Sequence, residues 1–113
     1  MNVRLAAALC GVSTLLAFSP VAHAQSGIAS IYSGGRTANG EHASPHGLTA
    51  AHRSLPFGTH VRVVNRRNGR SIVVRINDRG PFVHGRIIDL TPAGARALGF
   101  SGLAPVEVMP MRG

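Results

Sequence analysis

Apolar and polar residues alternate in short runs after residue 24, and glycine or proline separates the runs. This texture is typical of β-strands joined by turns. The clearest runs lie at 60–65 and 71–76, where β-branched residues share one face of each predicted strand. They are Val61 and Val63 in the first run, and Ile72, Val74 and Ile76 in the second. Asn68-Gly69 between them predicts a hairpin, because both residues tolerate positive φ.

The other elements complete a picture of many short strands and one helix. Further strands are predicted at 27–32, 86–90 and 106–109. Pro81 must follow the end of the strand that begins at residue 71, since proline cannot continue a central ladder. Thr91 and Pro92 predict the N-cap and first position of a short helix, which Gly99 ends. So few residues cannot leave long sheet edges open, and we therefore predict an all-β domain built as a small closed barrel.

Residues 1–24 have the pattern of a cleavable secretory signal. An arginine near the start precedes a run at 5–18 without any charged residue, and Ala22 and Ala24 occupy the −3 and −1 positions before Gln25. A membrane-spanning helix needs about 20 apolar residues, so this run is short for an uncleaved anchor, which is the alternative interpretation. We therefore expect export, with a periplasmic or secreted location.

The single cysteine, Cys10, lies inside the predicted signal. A lipoprotein signal would have a small residue before the cysteine, whereas this chain has Leu9, and the position is too early for lipidation. We therefore expect no stable membrane anchor. The mature domain, residues 25–113, would contain neither a disulfide nor a cysteine zinc site, and its length suits one domain.

The charge of the chain narrows the class of partner. All 12 basic residues are arginines, only four residues are acidic, and the formal net charge is +8. In a cytosolic protein this balance would suggest nucleic acid. Export argues against nucleic acid and favours an anionic partner outside the membrane, either a cell-wall polymer or lipid headgroups. The oligomeric state is left open by the sequence.

The four carboxylates have different surroundings. Glu107 lies between valines and is interpreted as a solvated strand position. Asp89 precedes the predicted helix, where a hydrogen bond at the helix start or at a barrel corner explains it. Glu41 and Asp78 lie in polar, glycine-bearing loops, where sites on rigid β scaffolds are usually built. For Asp78 the alternatives are an Asx-turn or an ion pair with Arg79.

The histidines give weaker signals. His52 is interpreted either as a structural hydrogen-bonding residue or as part of a catalytic site. His42 and His46 have the spacing of two zinc ligands on a helix, but Ser44-Pro45 between them disfavours that helix. We therefore expect neither a metal site nor a cofactor, and no phosphate-binding or dinucleotide-binding loop is present.

Six segments, in this order, resemble the rare lipoprotein A (RlpA)-like septal-ring lytic transglycosylase family. They are Gly27-Ile28-Ala29-Ser30-Ile31-Tyr32, Thr37-Ala38-Asn39-Gly40-Glu41, Leu48-Thr49-Ala50-Ala51-His52, Asn65 with Asn68-Gly69-Arg70, Val74-Arg75-Ile76-Asn77-Asp78-Arg79-Gly80-Pro81-Phe82, and Gly85-Arg86-Ile87-Ile88-Asp89-Leu90. The resemblance covers residues 27–109. It implies a six-stranded double-psi β-barrel, akin to barwin and to the first domain of expansins.

The resemblance also implies a reaction on peptidoglycan glycan strands. Members cleave these strands, preferring those stripped of stem peptides, and release products that end in 1,6-anhydro-N-acetylmuramic acid. By motif position, Asp78 matches the catalytic acid, and Glu41 and His52 match the other active-site residues. Substrate contacts are implied for the neighbouring polar residues Tyr32, Asn39, Asn77 and Arg79.

The sparse set of carboxylates suits this chemistry. Ordinary glycosidases use two carboxylates, one of them to activate water or attack the sugar. In a lytic transglycosylase the C6 hydroxyl of muramic acid attacks C1 instead of water. One carboxyl group can therefore protonate the leaving oxygen and then accept the proton of that hydroxyl.

Two other functions fit the same barrel. One is a non-catalytic, expansin-like module that binds or loosens the cell wall. The other is a protein-interaction module, such as a barwin-like inhibitor. All three interpretations are compatible with export and a basic charge, but the enzyme alone requires Asp78 to carry out chemistry.

The signal sequence gives the first prediction. We expect the exported protein to begin at Gln25, because Ala22 and Ala24 fit the small-residue pockets of signal peptidase. Intact-mass measurement of the exported protein tests this start site. Retention of Met1, or a diacylglyceryl group on Cys10, would contradict it.

Overall fold

A computed structural model describes residues 24–32 and 35–111, so almost all of the predicted signal, and with it Cys10, lies outside the described residues. Six strands and one helix are present in the described ranges. They are β1 (Gln25–Ile31), β2 (Thr49–Ala51), β3 (His60–Asn65), β4 (Ser71–Asp78), β5 (Arg86–Leu90), α1 (Pro92–Leu98) and β6 (Ala104–Pro110). No helix in these ranges is long and apolar enough to cross a membrane.

The strands close into one barrel in the order β1-β5-β2-β4-β3-β6. Strand β6 pairs antiparallel with β1 and with β3, which completes the ring. Two pairs are parallel, β1 with β5 and β2 with β4, so the chain must cross over the barrel rather than follow a simple meander. The predicted fold class, a closed all-β barrel with one short helix, is confirmed.

The barrel interior is filled by small and β-branched side chains, as the alternation predicts. Every strand contributes, and Leu98 of α1 closes one side. The members are Ala29, Ala50, Val61, Val63, Val74, Ile76, Ile88, Leu90, Leu98, Ala104, Val106 and Val108. Because no disulfide is available, this packing carries the stability of the domain.

Two elements differ from the sequence predictions. Strand β2 has three residues, too few to show a period of two, and it forms because both of its edges are paired. The predicted hairpin between β3 and β4 is present, but Gly69 alone adopts positive φ, at 79°. Asn68 instead lies in a longer turn, in which the amides of both Asn68 and Gly69 donate to the Asn65 carbonyl.

The predicted helix begins and ends where its caps indicate. The Thr91 hydroxyl accepts from the Gly94 amide at 3.1 Å, and Gly99 ends the helix with φ of 79°. The same hydroxyl donates to the Gly47 carbonyl at 2.6 Å, and the Ala93 amide donates to the Pro45 carbonyl at 3.0 Å. The helix start therefore holds the segment that leads into β2.

A buried asparagine joins the β3–β4 hairpin to α1. Asn65 donates to the Leu98 carbonyl at 2.9 Å and accepts from the Arg67 amide at 2.9 Å. Asn68 donates to the same Leu98 carbonyl at 3.0 Å but is exposed. The Leu98 carbonyl therefore accepts one hydrogen bond from a buried side chain and one from an exposed side chain.

This pair gives a stability prediction. Asn65→Ala should lower the free energy of unfolding by about 1–3 kcal/mol, because it removes two hydrogen bonds of a buried side chain, each worth about 0.5–1.5 kcal/mol. Asn68→Ala is the matched control and should cost less than about 1 kcal/mol, since water can replace an exposed partner. Urea denaturation followed by circular dichroism measures both. Equal losses would show that burial of the contact is not what matters.

Candidate active site

The register of β2 places Asp78 and Asp89 on one outer face of the barrel. Ala51 pairs with Asp78 of β4 on one side and with Asp89 of β5 on the other. Ala50 pairs with the core residues Ile76 and Leu90 of the same two strands, and a register shift after it in the β2–β4 pair brings Asp78, rather than Asn77, beside Ala51. The residues paired with Ala51 therefore lie on the side of the sheet away from the core. Two strand spacings, about 10 Å, separate the Cα atoms of the two aspartates.

Asp78 is anchored through one carboxylate oxygen. Its Oδ1 accepts from the backbone amides of Ala38 and Arg79, each at 2.8 Å. Oδ2 has no hydrogen bond to any described residue. The loop after β1 is thus fastened to the end of β4, and one oxygen stays available on a half-buried residue.

An ion pair between Arg79 and Asp78, which the sequence left open as one alternative, is not formed. Its guanidinium donates to the carbonyls of His52 at 3.2 Å and Leu55 at 2.8 Å, and lies 4.1 Å from the centre of the Phe57 ring. This side chain therefore fixes the loop that follows β2. The implied substrate contact of Arg79 stays a prediction.

Glu41 is held as an anion. Arg75 donates to both of its oxygens, at 3.0 and 3.1 Å, and Asn77 donates to Oε1 at 2.9 Å. These donors lower the pKa of Glu41 from 4.5 to about 2, with Arg75 the largest cause and Asn77 the next. Glu41 lies 37 positions before Asp78 in the sequence, and hydrogen bonds from Asn77 to Glu41 and from Ala38 to Asp78 bring the two segments together. Glu41 carries no proton at neutral pH.

The two asparagines of the site have different roles. The Asn39 side-chain oxygen accepts from the Thr37 hydroxyl at 2.6 Å and from the Glu41 amide at 3.1 Å, so it shapes its own loop. Asn77 is 1% exposed, and its Oδ1 is buried without a hydrogen-bond partner among the described residues. An unpaired buried oxygen costs free energy, and functional sites are where such atoms are retained.

His52 is buried as a neutral ring. Its Nδ1 accepts from the amides of Ser54 and Leu55, both at 3.1 Å, so the proton must lie on Nε2, which donates to Gln25 Oε1 at 2.8 Å. Burial, followed by the charges of Arg53 and Arg79, lowers the pKa of His52. Nδ1 thus holds the loop after β2, and Nε2 joins this loop to the start of β1.

Tyr32 follows β1 and lies within electrostatic range of three carboxylates. Its hydroxyl is buried and makes no hydrogen bond of normal geometry within the described residues, and neither does the nearby Thr49 hydroxyl. Burial raises the pKa of Tyr32, Thr49 partly offsets this, and the charges of Asp78, Asp89 and Glu41 raise it further. The charges of all three acids therefore act on the Tyr32 hydroxyl in the same direction.

Sequence reasoning missed two partners of the site. Arg75, the partner of Glu41, stands two positions before Asn77, so the period of a strand could have placed both on one face. Ser30 donates a hydrogen bond to Asp89 Oδ1 across the parallel β1–β5 pair. Parallel pairing between distant segments leaves no local signal. Asp89 thus has its hydrogen-bond partner on the neighbouring strand β1, and not at the helix start.

The candidate site is an open face. No enclosed cavity lies within residues 24–32 and 35–111, and no three histidine, cysteine, aspartate or glutamate side chains in these ranges gather as metal ligands. We call the outward cluster of Tyr32, Glu41, Asn77, Asp78 and Asp89 the acidic face.

Comparison with known proteins decides the family. The profile of the family described as lytic transglycolase matches residues 24–108. The chain belongs to this family. The RlpA-like double-psi barrel resemblance is therefore confirmed. The chain is 61% identical over 90 residues to a probable endolytic peptidoglycan transglycosylase RlpA of Nostoc sp., and 55% identical over 114 positions to one of Synechocystis sp..

The match covers 73% and 94% of this chain but 24% and 36% of the two RlpA relatives, so the chain spans about a quarter to a third of their length. Solved structures share the fold at lower identity. The Streptomyces papain inhibitor superposes with a TM-score of 0.67 at 23% identity, covering 82% of this chain and 98% of the inhibitor. A Clavibacter michiganensis expansin gives 0.65 at 22%, covering 80% and 51%.

The ion pair of this RlpA-like domain gives a pH prediction. Because the pKa of Glu41 is lowered in the folded state, its contribution to stability is present above about pH 4.5 and is lost as the pH falls towards 2. We expect an NMR titration of the Glu41 carboxyl carbon to have its midpoint near 2, and Arg75→Gln to move it up towards 4.5. A wild-type midpoint near 4.5 would mean that the ion pair does not form.

Proposed function

We propose that this domain is a peptidoglycan lytic transglycosylase that acts outside the cytoplasmic membrane and releases 1,6-anhydromuramic products. The observation that carries the proposal is the state of Asp78, whose Oδ1 is fixed by two backbone amides while Oδ2 is available on the acidic face. The names of the RlpA relatives support the choice of substrate, and the predicted signal supports the location.

In the proposed reaction Asp78 begins as a carboxylic acid. It donates its proton to the oxygen that leaves C1 of N-acetylmuramic acid as the glycosidic bond breaks. The C6 hydroxyl of the same sugar then forms a bond to C1, and its proton returns to Asp78. No water is consumed, and the carboxyl group is regenerated in its starting state.

Hydrogen-bond accounting favours Asp78 over the other two predicted catalytic residues as the proton carrier. Glu41 is ionised and both its oxygens are occupied by donors. His52 has a donor on one nitrogen and an acceptor on the other. We therefore infer that both act as positioning residues. Glu41 acts through its hydrogen bond with Asn77, the neighbour of Asp78. His52 acts through the loop after β2, and its own backbone amide donates to the Asp78 carbonyl at 3.1 Å.

The open acidic face and the positive charge both suit a polymeric substrate. A long glycan strand can lie across an open surface at any point along its length, whereas an enclosed cavity would admit chain ends. Peptide-free strands carry muramic carboxylates, which arginines attract over long range. Residues 25–113 contain 11 arginines, no lysine and four acidic residues, which supports this electrostatic steering.

The decisive variant is Asp78→Asn. It keeps the size of the side chain and one oxygen that can accept hydrogen bonds from the amides of Ala38 and Arg79, but it cannot transfer the proton. On peptide-free glycan strands, we expect it to lose anhydro products by about two orders of magnitude or more, while it still folds and binds sacculi. Glu41→Gln and His52→Ala are the controls and should lose less. Mass spectrometry of the digests measures the products.

Two outcomes would redirect the proposal. If folded wild-type protein releases no anhydro sugar, the enzyme interpretation is rejected in favour of the non-catalytic, expansin-like interpretation. If Asp78→Asn keeps full activity, Asp78 is not the acid, although the enzyme itself stands.

A further inference from the structure

The three carboxylates of the acidic face divide into two classes by hydrogen bonding. Glu41 has both oxygens occupied, by Arg75 and Asn77. Asp78 and Asp89 each have one occupied oxygen, Oδ1, while Oδ2 has no hydrogen bond to any described residue. By this criterion Asp89 resembles the proposed acid, and Glu41 does not.

The barrel register brings Asp89 to the same face as Asp78. Both pair with Ala51, one on each side, and both project outward from it. Ala51 itself is 2% exposed, whereas both aspartates are partly exposed, so the two acids and not Ala51 face a ligand here. A sugar ring bound between them would contact one aspartate on each side.

The contact of Asp89 with Ser30 explains how a second acid is kept in place. The Ser30 side chain is 5% exposed, and its hydroxyl donates to Asp89 Oδ1 from the adjacent strand β1. A carboxylate with one neutral donor keeps most of its negative charge available to a ligand, whereas Arg75 neutralises Glu41. Burial is the largest cause of the raised pKa of Tyr32, and the charges of Asp78 and Asp89 both add to it.

We propose that Asp89 is a second catalytic residue of this face, an unneutralised carboxylate that stabilises the positive charge developing at C1 of the sugar while Asp78 transfers the proton. The proposal rests on the proposed lytic transglycosylase function and deepens it. Breaking the bond to the leaving oxygen spreads positive charge over C1 and the ring oxygen. Asp89 exchanges no proton in this scheme, so the balance of the reaction is unchanged.

The test is a set of variants that separates the charge of Asp89 from its hydrogen bond. Asp89→Asn keeps an oxygen that can accept from Ser30 but removes the charge. Ser30→Ala keeps the charge and removes the hydrogen bond. Asp89→Glu restores the charge on a longer side chain. All are compared with wild type and Asp78→Asn by kcat and KM for anhydro-product release from peptide-free glycan strands, and by thermal melting.

We expect Asp89→Asn to lower kcat by about 10²–10³, the usual effect of removing one electrostatic stabiliser, with KM within about threefold of wild type. Ser30→Ala should lose about tenfold or less, and Asp89→Glu should recover at least about tenfold over Asp89→Asn. Assays are run below the melting temperature of every variant, so unfolding does not contribute to the loss.

A merely structural role gives a different pattern. If Asp89 serves only as the partner of Ser30, Asp89→Asn keeps kcat within about threefold of wild type, or loses no more than Ser30→Ala, and either result overturns the proposal. An active wild type with inactive Asp78→Asn and fully active Asp89→Asn would remove Asp89 alone and leave the proposed function intact. A folded wild type without anhydro product would remove both.

Discussion

Strand β2 contributes three residues to the barrel, yet its two edges set the geometry of the acidic face. Ala50 pairs with buried residues of β4 and β5, and Ala51 pairs with Asp78 and Asp89. Since side chains alternate along a strand, a slip of β2 by one residue would exchange the places of Ala50 and Ala51 and remove Ala51 from its position between the two aspartates. The register is protected from both ends, because Thr91 and Pro45 hold the segment before β2 and Arg79 holds the loop after it.

On this scaffold, the number of donors around each carboxylate decides its chemistry. Arg75 and Asn77 donate hydrogen bonds to both oxygens of Glu41, and Arg75 balances its charge. Glu41 therefore loses its proton far below neutral pH. Backbone amides satisfy half of Asp78, which orients the group without neutralising it. Separate environments for neighbouring carboxyl groups are a general way for one site to hold different roles.

The sequence was sufficient for elements that depend on local patterns. The helix could be predicted from Thr91 and Gly99, and the hairpin from Gly69, because caps and positive φ are properties of single residues. Strand β2 was not predicted from its own residues, since three positions carry no period. The Ser30–Asp89 contact joins residues 59 positions apart across a parallel pair, and the Arg75–Glu41 ion pair spans 34. Such contacts follow from topology, which local patterns do not encode.

The barrel itself does not select a chemistry, because a papain inhibitor and an expansin share it with this chain at under 25% identity. What can select one is the electrostatic state of the face that the barrel presents. Asp78 and Asp89 have no ion-pair partner among the described residues, whereas Glu41 is paired with Arg75. The buried, unpaired Asn77 oxygen and Tyr32 hydroxyl lie beside those same aspartates. Unpaired carboxylate oxygens and unpaired buried polar atoms thus gather on one face of the domain, and this concentration, more than the fold, supports the proposed glycan site.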